Sequence, residues 1–281
     1  PYTQKLLAAI PSGQKTAETV TPDPLIRIEN LRTWFTPTGG AGPVKAVDDV
    51  SLEIYRGEVL GLVGESGSGK STLGRSILRL VPITDGQITF EGTELSSLEG
   101  RSLQQFRHRM QMIFQDPYAS LNPRMTVYDT LAEPLLLHGL VRKADLDQAI
   151  RELMDNVGLA RAFVRKYPHE FSGGQRQRIA IGRALATRPE FIVADEPVSA
   201  LDVTIQAQIL DLLADLTREY GLTMLFISHD LAVIRQIADR IAVMYHGKLV
   251  EEGSTAQVFE MPQRDYTRSL LAAIPGANAA A

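Results

Sequence analysis

The motif at residues 64–71 constrains the fold of this chain more than any other feature. It reads Gly-Glu-Ser-Gly-Ser-Gly-Lys-Ser, which fits the pattern G-x-x-x-x-G-K-[ST], and it directly follows the short apolar stretch 58–63. The glycines let the backbone turn so that successive N–H groups point at one place, and a following helix adds the positive potential of its N-terminus. The motif therefore predicts a phosphate-binding loop between a strand and a helix.

Every residue of this loop is a candidate phosphate ligand. We expect Lys70 to reach the β- and γ-phosphates of a nucleotide and the Ser71 hydroxyl to ligate Mg²⁺. The G-x-G inside the motif is also found in dinucleotide-binding loops, but the Lys-Ser pair favours a nucleoside triphosphate. The predicted binding set is Gly64, Glu65, Ser66, Gly67, Ser68, Gly69, Lys70, Ser71 and Thr72.

The hydrophobic patterning predicts an α/β fold. Apolar runs at 25–31 and 46–55, with a hairpin near 88–92, predict an antiparallel β subdomain, and residues 73–80 continue the loop as a helix. Residues 118–170 carry helical spacing with no strand, which predicts an all-helical insertion. After residue 170 strands and helices alternate, so we expect a mostly parallel sheet with ligands beyond the carboxyl ends of its strands. The predicted elements there are helices 173–186, 203–219 and 230–237 and strands 190–194, 222–228 and 240–245.

Two motifs after the loop carry further chemistry. Asp195 and Glu196 follow the apolar run 191–194, where Asp195 can hold Mg²⁺ and Glu196 can deprotonate an attacking water. Residues 171–175 read Phe-Ser-Gly-Gly-Gln, in which Ser172 caps a helix and the glycines offer N–H groups to an anion. Taken alone, a strand that ends in two carboxylates is about as often the start of a polar loop as a functional site. A Ser-Gly-Gly at a helix start, taken alone, is more often only a flexible cap. Their order after the phosphate loop favours the functional interpretation.

Together these motifs resemble those of the ATP-binding-cassette (ABC) ATPases over about residues 25–255. The family signature is matched by Ser172, Gly173, Gly174 and Gln175. Gln115, after the strand 110–114, resembles the glutamine that contacts Mg²⁺ and the γ-phosphate, and residues 199–202 resemble the D-loop. His229 resembles the family's γ-phosphate histidine, although a histidine after an apolar strand is more often a capping or core residue.

The adenine contact is the least specific of these assignments. Phe35 lies where family members place an aromatic ring against adenine, with Trp34 as the alternative. An aromatic pair at a strand end can equally be part of a small hydrophobic core. Arg176 and Arg178 form a short basic run, which we interpret as a solvated helix face or as contacts to neighbouring acids.

The resemblance implies that two such domains face each other head to tail and sandwich ATP between them. The signature of one domain would touch the γ-phosphate held by the other, and the second domain would be a tandem copy, an identical chain or a related one. Residues 114–124 and 265–271 further resemble the oligopeptide/dipeptide and nickel importer branch, and the first should flank a groove for a permease helix. Many members of that branch end in an extension that contains cysteine, whereas this sequence contains no cysteine.

The importer branch implies a function and a location. We expect an ATP-hydrolysing subunit, peripheral on the cytoplasmic face of the inner membrane, which powers import of peptides or related solutes through integral membrane permease subunits. A solute-binding protein, periplasmic or extracellular, would act indirectly. Two alternatives from other classes are an ABC ATPase that acts on nucleic acid in repair or translation, and a nucleotide sensor that does not hydrolyse ATP.

Net charge and intact motif residues disfavour the nucleic-acid and sensor alternatives, and the absence of cysteine excludes several kinds of metal and covalent site. The net charge of −4 and the lack of basic arms disfavour nucleic acid as a partner, and intact Lys70, Asp195, Glu196 and His229 disfavour a sensor. The absence of cysteine excludes disulfides, thiolate zinc sites, iron–sulfur clusters and a cysteine nucleophile. No apolar run is long enough to span a bilayer.

A sequence repeat predicts the organisation of the parent chain. Residues 2–11 and 266–275 match at eight of ten positions, and a serine-, glycine-, threonine- and proline-rich stretch follows the first copy. Two similar amphipathic helix ends are the ordinary alternative. We predict that residues 1–24 are the tail of a preceding copy plus a linker, that 25–255 form the ATP-binding domain, and that 256–281 form an importer-type extension.

Overall fold

The computed structural model describes residues 24–37 and 42–273, which fall into two units. The split unit holds the described residues up to 103 and those from 223 onward, and the continuous unit holds residues 104–222. The first copy of the sequence repeat, its linker and the last two positions of the second copy lie outside the described residues. Among the described helices, none combines the length and the apolar character that crossing a membrane requires.

The split unit contains two sheets. Its strands are β1 (Pro24–Phe35), β2 (Val44–Tyr55), β3 (Val59–Val63), β4 (Asp85–Phe90), β5 (Thr93–Glu94), β8 (Thr223–Ile227), β9 (Arg240–Tyr245) and β10 (Lys248–Ser254). Its helices are α1 (Lys70–Ile77), α8 (Leu231–Ile237), α9 (Thr255–Glu260) and α10 (Asp265–Ala272), and α2 (Gly100–Arg107) begins in it and ends in the continuous unit.

The first sheet is antiparallel, with strand order β2-β1-β4-β5. Residues Ile26 and Ile28 pair with Ile54 and Leu52, and all four side chains are buried. The pairing of β1 with β2 contains several register shifts, and bulges of this kind interrupt the alternation of side chains along a strand. Both strands therefore extend beyond the 25–31 and 46–55 that apolar alternation predicts.

The second sheet of this unit positions the phosphate loop. Strand β3 lies between β8 and β9 and runs parallel to both, while β10 pairs antiparallel with β9. All five residues of β3 are buried, as expected for a parallel strand covered on both faces. Helix α1 begins at Lys70 and ends at Ile77, not at 73 and 80 as the apolar spacing predicts. Arg79 adopts φ 52°, a left-handed conformation that stops the helix before Pro82 is reached.

The continuous unit contains two parallel strands and, complete, five of the ten α-helices in the described residues. Met110 pairs with Phe191 and Ile113 with Ala194, which sets the strands β6 (Met110–Ile113) and β7 (Phe191–Asp195) side by side. The helices are α3 (Pro117–Ser120), α4 (Val127–Leu137), α5 (Leu146–Asn156), α6 (Gly173–Leu185) and α7 (Val203–Tyr220), with 3-10 turns at Lys143–Asp145, Arg161–Arg165 and Pro168–Glu170. The described chain thus has the predicted α/β fold, with an antiparallel sheet, parallel strands and helices between them.

Candidate functional site

The backbone of the phosphate loop fits tightly against neighbouring strands. Gly64 has φ 150°, and a Cβ there would lie 2.1 Å from the carbonyl oxygen of Met244. Gly69 has φ 104°, and a Cβ there would lie 2.0 Å from the carbonyl oxygen of Ala46. Side-chain atoms do not approach backbone oxygens so closely, so only glycine fits at either position. The loop therefore takes its shape from main-chain contacts.

Lys70 is folded back over the loop. Its side chain is buried, and Nζ donates hydrogen bonds to the carbonyl oxygens of Gly64, at 2.7 Å, and Glu65, at 2.8 Å. Lys70 is also the first residue of α1, whose N-cap Gly69 makes no side-chain capping bond. The lysine ammonium and the positive end of a helix thus come together at the loop, which is the arrangement that binds phosphate.

His229 stands at the same edge of the sheet as the loop. Leu62 of β3 pairs with Ile227 of β8, so Gly64 and His229 each lie two residues beyond this pair at the carboxyl ends of adjacent parallel strands. The Asp230 carboxylate caps α8 by accepting a hydrogen bond from Ala232, at 2.8 Å, and its neighbour His229 is exposed. The structure therefore brings the histidine and the loop to one edge, as the parallel topology predicts.

The two candidate aromatic residues differ in their surroundings. Phe35, the last residue of β1, is 41% exposed. Trp34 is covered by Lys45, whose Nζ lies 4.5 Å from the centre of the indole ring. The Phe35 ring is the more exposed of the two, and it remains the candidate for the adenine contact.

The acidic strand end of the continuous unit is a strained turn. Asp195 ends β7 and is 1% exposed, whereas the next residue, Glu196, is half-buried and adopts φ 47°. A residue with a Cβ rarely adopts this conformation, and such strain clusters at functional sites. The turn is held by Ser199, whose N–H and hydroxyl both bond to the Glu196 carbonyl oxygen, at 3.3 and 3.1 Å.

Gln115 reaches the Glu196 side chain. It follows β6, the neighbour of β7, and its Nε2 donates a hydrogen bond to Oε2 of Glu196, at 3.1 Å. Two residues that the sequence separates by the whole helical region are therefore in direct contact. The role of Ser199 in holding this turn is not predicted, because the sequence does not reveal the geometry of the turn.

The glycine-rich start of α6 divides its roles among its residues. Ser172 is the N-cap, and it forms a capping box with Gln175, in which the Ser172 N–H donates to Gln175 Oε1 at 3.1 Å. Gly173 is exposed, but Gly174 is buried, and a Cβ there would lie 2.4 Å from Cγ2 of Ile205 in α7. Gly174 therefore allows the two helices to approach closely, in addition to any contact with a ligand.

The two arginines that follow make different contacts from those predicted. Arg176 Nε donates to the Pro168 carbonyl oxygen, and Arg178 donates through Nη1 to the Val157 carbonyl oxygen, each at 2.8 Å. Both side chains thus satisfy backbone acceptors at the ends of helical segments, and both residues are half-buried.

Comparison with known proteins identifies relatives over most of the chain. Residues 47–199 match the ABC transporter family, and residues 250–281 match the C-terminal region of oligopeptide/dipeptide transporters. The chain is 57% identical over 254 residues to the oligopeptide transport ATP-binding protein OppF of Bacillus subtilis, which covers 89% of this chain and 82% of that protein.

Two further comparisons concern length and fold. The chain is 47% identical over 309 residues to the glutathione import ATP-binding protein GsiA of Pectobacterium atrosepticum, covering 99% of this chain but only 50% of that protein. It therefore spans about half the length of this relative. Among solved structures, the dimeric post-hydrolysis state of the ATP-binding cassette MJ0796 bound to ADP and Pi superposes with a TM-score of 0.74. That cassette is 30% identical, and the match covers 82% of this chain and 98% of the other. The predicted cassette fold is thereby confirmed.

Proposed function

The chain belongs to the ABC transporter family of ATPases, and we propose that it is the ATP-hydrolysing subunit that powers import of peptides or related small solutes through a separate membrane permease. The observation that carries this proposal is the combination of two segments in one chain. Residues 64–71 form a loop built for phosphate, and residues 250–281 match the C-terminal region of oligopeptide/dipeptide transporters.

The split unit would hold the nucleotide. In this proposal the N–H groups of the loop and of the first turn of α1 bind the phosphates, and Lys70 neutralises the charge that develops between the β- and γ-phosphates. Phe35 stacks on adenine through its exposed ring. His229 contacts the γ-phosphate from the end of β8.

The continuous unit would supply the chemistry. Glu196 accepts the proton of the attacking water on a carboxylate oxygen, and the Gln115 amide, already bonded to that carboxylate, keeps it oriented. The separate roles of the two units lead us to expect that binding and hydrolysis are lost through different substitutions.

We propose Mg²⁺ as the cofactor, on the chemistry of the candidate ligands in each unit. In the split unit Ser71 offers a hydroxyl, and in the continuous unit Gln115 and Asp195 offer an amide and a carboxylate; hard oxygen ligands of this kind suit the ion. The Gln115 amide nitrogen donates to Glu196, which leaves its amide oxygen as the ligating atom. When bound, Mg²⁺ would neutralise charge on the phosphates of ATP.

A second cassette would complete the site. We propose a head-to-tail dimer in which residues 172–175 of one cassette close over the nucleotide of the other, and the dimeric cassette with which this fold superposes supports such an arrangement. The repeat of residues 2–11 at 266–275 supports a tandem parent, with residues 1–24 as the tail of a preceding copy plus linker, 25–255 as the cassette and 256–281 as the extension. A parent gene without a second cassette upstream would contradict the tandem proposal.

We propose that the permease docks in a groove of the continuous unit. Residues 114–124 are not among the residues that line it, so this docking place differs from the one that the sequence predicts. It encloses about 660 Å³ and is lined by Leu135, Leu140 and Leu153 beside the ion pair of Arg109 and Glu190, whose atoms lie 2.5 Å apart. An apolar groove with a charged margin suits an amphipathic helix. Docking there would place the protein peripherally on the cytoplasmic face of the inner membrane, with a solute-binding protein as an indirect partner.

The decisive experiment measures ATP hydrolysis by the chain alone and together with its candidate permease in lipid vesicles. We expect the permease, loaded with a peptide-bearing solute-binding protein, to raise turnover. Turnover that is indifferent to the permease but rises with added DNA or RNA would reject the transport role and favour the nucleic-acid alternative.

A further inference from the structure

Helix α10, in the segment that matches the oligopeptide/dipeptide C-terminal region, contacts the phosphate loop directly. Tyr266 lies in its first turn, and the tyrosine hydroxyl accepts a hydrogen bond from the backbone N–H of Glu65, at 3.0 Å. The two residues are 201 positions apart in the sequence. None of the roles proposed for the loop accounts for this contact.

The contact falls on the peptide unit that also orients Lys70. The carbonyl oxygen of the Gly64–Glu65 peptide accepts the 2.7 Å hydrogen bond from Lys70 Nζ, and the N–H of the same unit donates to Tyr266. A peptide unit is planar, so its C=O and N–H cannot turn independently. The hydrogen bonds to Tyr266 and from Lys70 therefore hold the Gly64–Glu65 peptide in one orientation. The Gly64 carbonyl oxygen, which orients the lysine, is held with it.

The tyrosine itself is held firmly. Its ring packs against Tyr245, the last residue of β9, with the ring centres 4.2 Å apart. The segment entering α10 is fixed by Glu251 of β10, whose carboxylate accepts hydrogen bonds from the N–H groups of Gln263, at 2.7 Å, and Arg264, at 3.1 Å. Strands β9 and β10 thus set the position of Tyr266 over the loop.

We infer that Tyr266 is a positioning residue for nucleotide binding: its hydroxyl fixes the Gly64–Glu65 peptide and so preorganises Lys70. The inference rests on the proposed role of Lys70 in binding the phosphates of ATP. It also assigns a task to the C-terminal region, which would control the affinity of the loop for nucleotide. A loop held in its binding conformation loses less freedom when the ligand arrives, so loosening it weakens binding.

The test is Tyr266→Phe, which removes the hydroxyl and keeps the ring packed on Tyr245. Because one hydrogen bond is lost, we expect the dissociation constant for a fluorescent MgATP analogue to rise about two- to tenfold. KM for ATP should rise in parallel while kcat stays within about twofold, and the Glu65 amide should exchange its proton faster in NMR experiments. The matched control is Tyr55→Phe, which deletes a hydroxyl bonded to Glu53 in the same unit and should change none of these quantities.

Two results would overturn the inference. The first is an unchanged dissociation constant with a Glu65 amide that stays protected, and the second is a lower kcat at unchanged KM. The variant Lys70→Ala separates this inference from the proposed function on which it rests. If Lys70→Ala binds nucleotide as the wild type does, the role of the lysine itself is wrong. If it loses binding and Tyr266→Phe does not, only the positioning role fails.

Discussion

The phosphate loop and the acidic turn are built in opposite ways. In the loop the important contacts are made by main chain: Gly64 and Gly69 lie against backbone carbonyls, and Lys70 bonds to two loop carbonyls. In the acidic turn the important contact joins two side chains, Gln115 and Glu196, and the backbone is strained at Glu196.

This difference teaches where sequence changes act. A substitution in the loop changes the shape of the backbone, so it should damage stability and nucleotide binding together. A substitution in the turn changes a functional group on an intact frame, so it should lower the rate and leave binding in place. Variants in the two regions can test this division.

The largest effect is expected from Glu196→Gln. The amide cannot accept the proton of the attacking water, so hydrolysis should slow by about 10²- to 10⁴-fold, the usual size of a general-base contribution. Nucleotide affinity, measured by fluorescence titration, should stay within a few-fold of the wild type. The control is Glu219→Gln, at an exposed position near the end of α7, which should keep normal turnover. Near-normal turnover in Glu196→Gln would show that another group is the base.

The next effect is expected from Gly69→Ala. The added Cβ would meet the Ala46 carbonyl oxygen at 2.0 Å in a residue with φ 104°, so the loop must move. We expect the free energy of unfolding to fall by about 3 kcal/mol and nucleotide binding to weaken with it. Urea denaturation measures the first quantity and fluorescence titration the second.

Gly67→Ala is the matched control for that change. Gly67 also has a left-handed conformation, φ 80°, but no described atom lies within 4 Å of where its Cβ would be. It should cost only the conformational strain, about 1 kcal/mol. Equal losses in the two variants would contradict the claim that contact with neighbouring backbone shapes the loop.

The sequence predicts the buried parts of this fold well because burial leaves a pattern. Strands β3, β7 and β8 are covered on both faces, so they are continuous apolar runs, and α6 and α7 have caps and amphipathic spacing. Short, half-exposed elements leave little pattern, so α2, α9 and β10 are not predicted, and a helix at α10 is only the alternative interpretation of the repeat. The end of α1 is likewise not predicted by the apolar spacing, because the left-handed conformation of Arg79 ends that helix.

For the candidate site, motifs indicate which residues take part but not how they are held. The pairing of Gln115 with Glu196 follows from two adjacent parallel strands, and adjacency is a property of the sheet. The contact of Tyr266 with the loop joins residues 201 positions apart, and no spacing rule reaches so far. The packing role of Gly174 likewise depends on Ile205, whose side chain only the fold brings near.

A smaller effect is expected from Gly174→Ala, and it sharpens the comparison. Here the added Cβ meets a side chain, Cγ2 of Ile205 at 2.4 Å, and not backbone, so the neighbour can yield. We expect a loss of about 1–2 kcal/mol in the free energy of unfolding. The double variant Gly174→Ala with Ile205→Ala should lose less than the sum of the two single changes, because the clash is gone. Strict additivity in urea denaturation would contradict this explanation.

The smallest effect concerns the carboxylate that holds α10 beside the loop. Partial burial opposes the charge of Glu251, but the hydrogen bonds that it accepts, foremost from the Gln263 N–H, outweigh burial and hold the pKa of Glu251 below its ordinary value of 4.5. A carboxyl whose pKa is lower in the folded protein stabilises it above the unfolded pKa, and this contribution is lost as the pH falls through the folded pKa. The stabilisation should therefore be complete at pH 7 and fade below about pH 4.5.

Glu251→Gln tests this pH dependence, and it also tests whether Glu251 helps to hold α10 against the phosphate loop. At pH 7 it should lower the free energy of unfolding by about 1 kcal/mol, since solvent screens part of the charge. The difference from the wild type should shrink when the same urea denaturation is repeated at pH 4. Because Gln263 and Arg264 would hold α10 less firmly, the Glu65 amide, which bonds to Tyr266, should also exchange faster. The exposed change Glu219→Gln should alter neither quantity. A difference that stays constant from pH 7 to pH 4 would mean that Glu251 acts through packing, and that α10 reaches the loop without help from its charge.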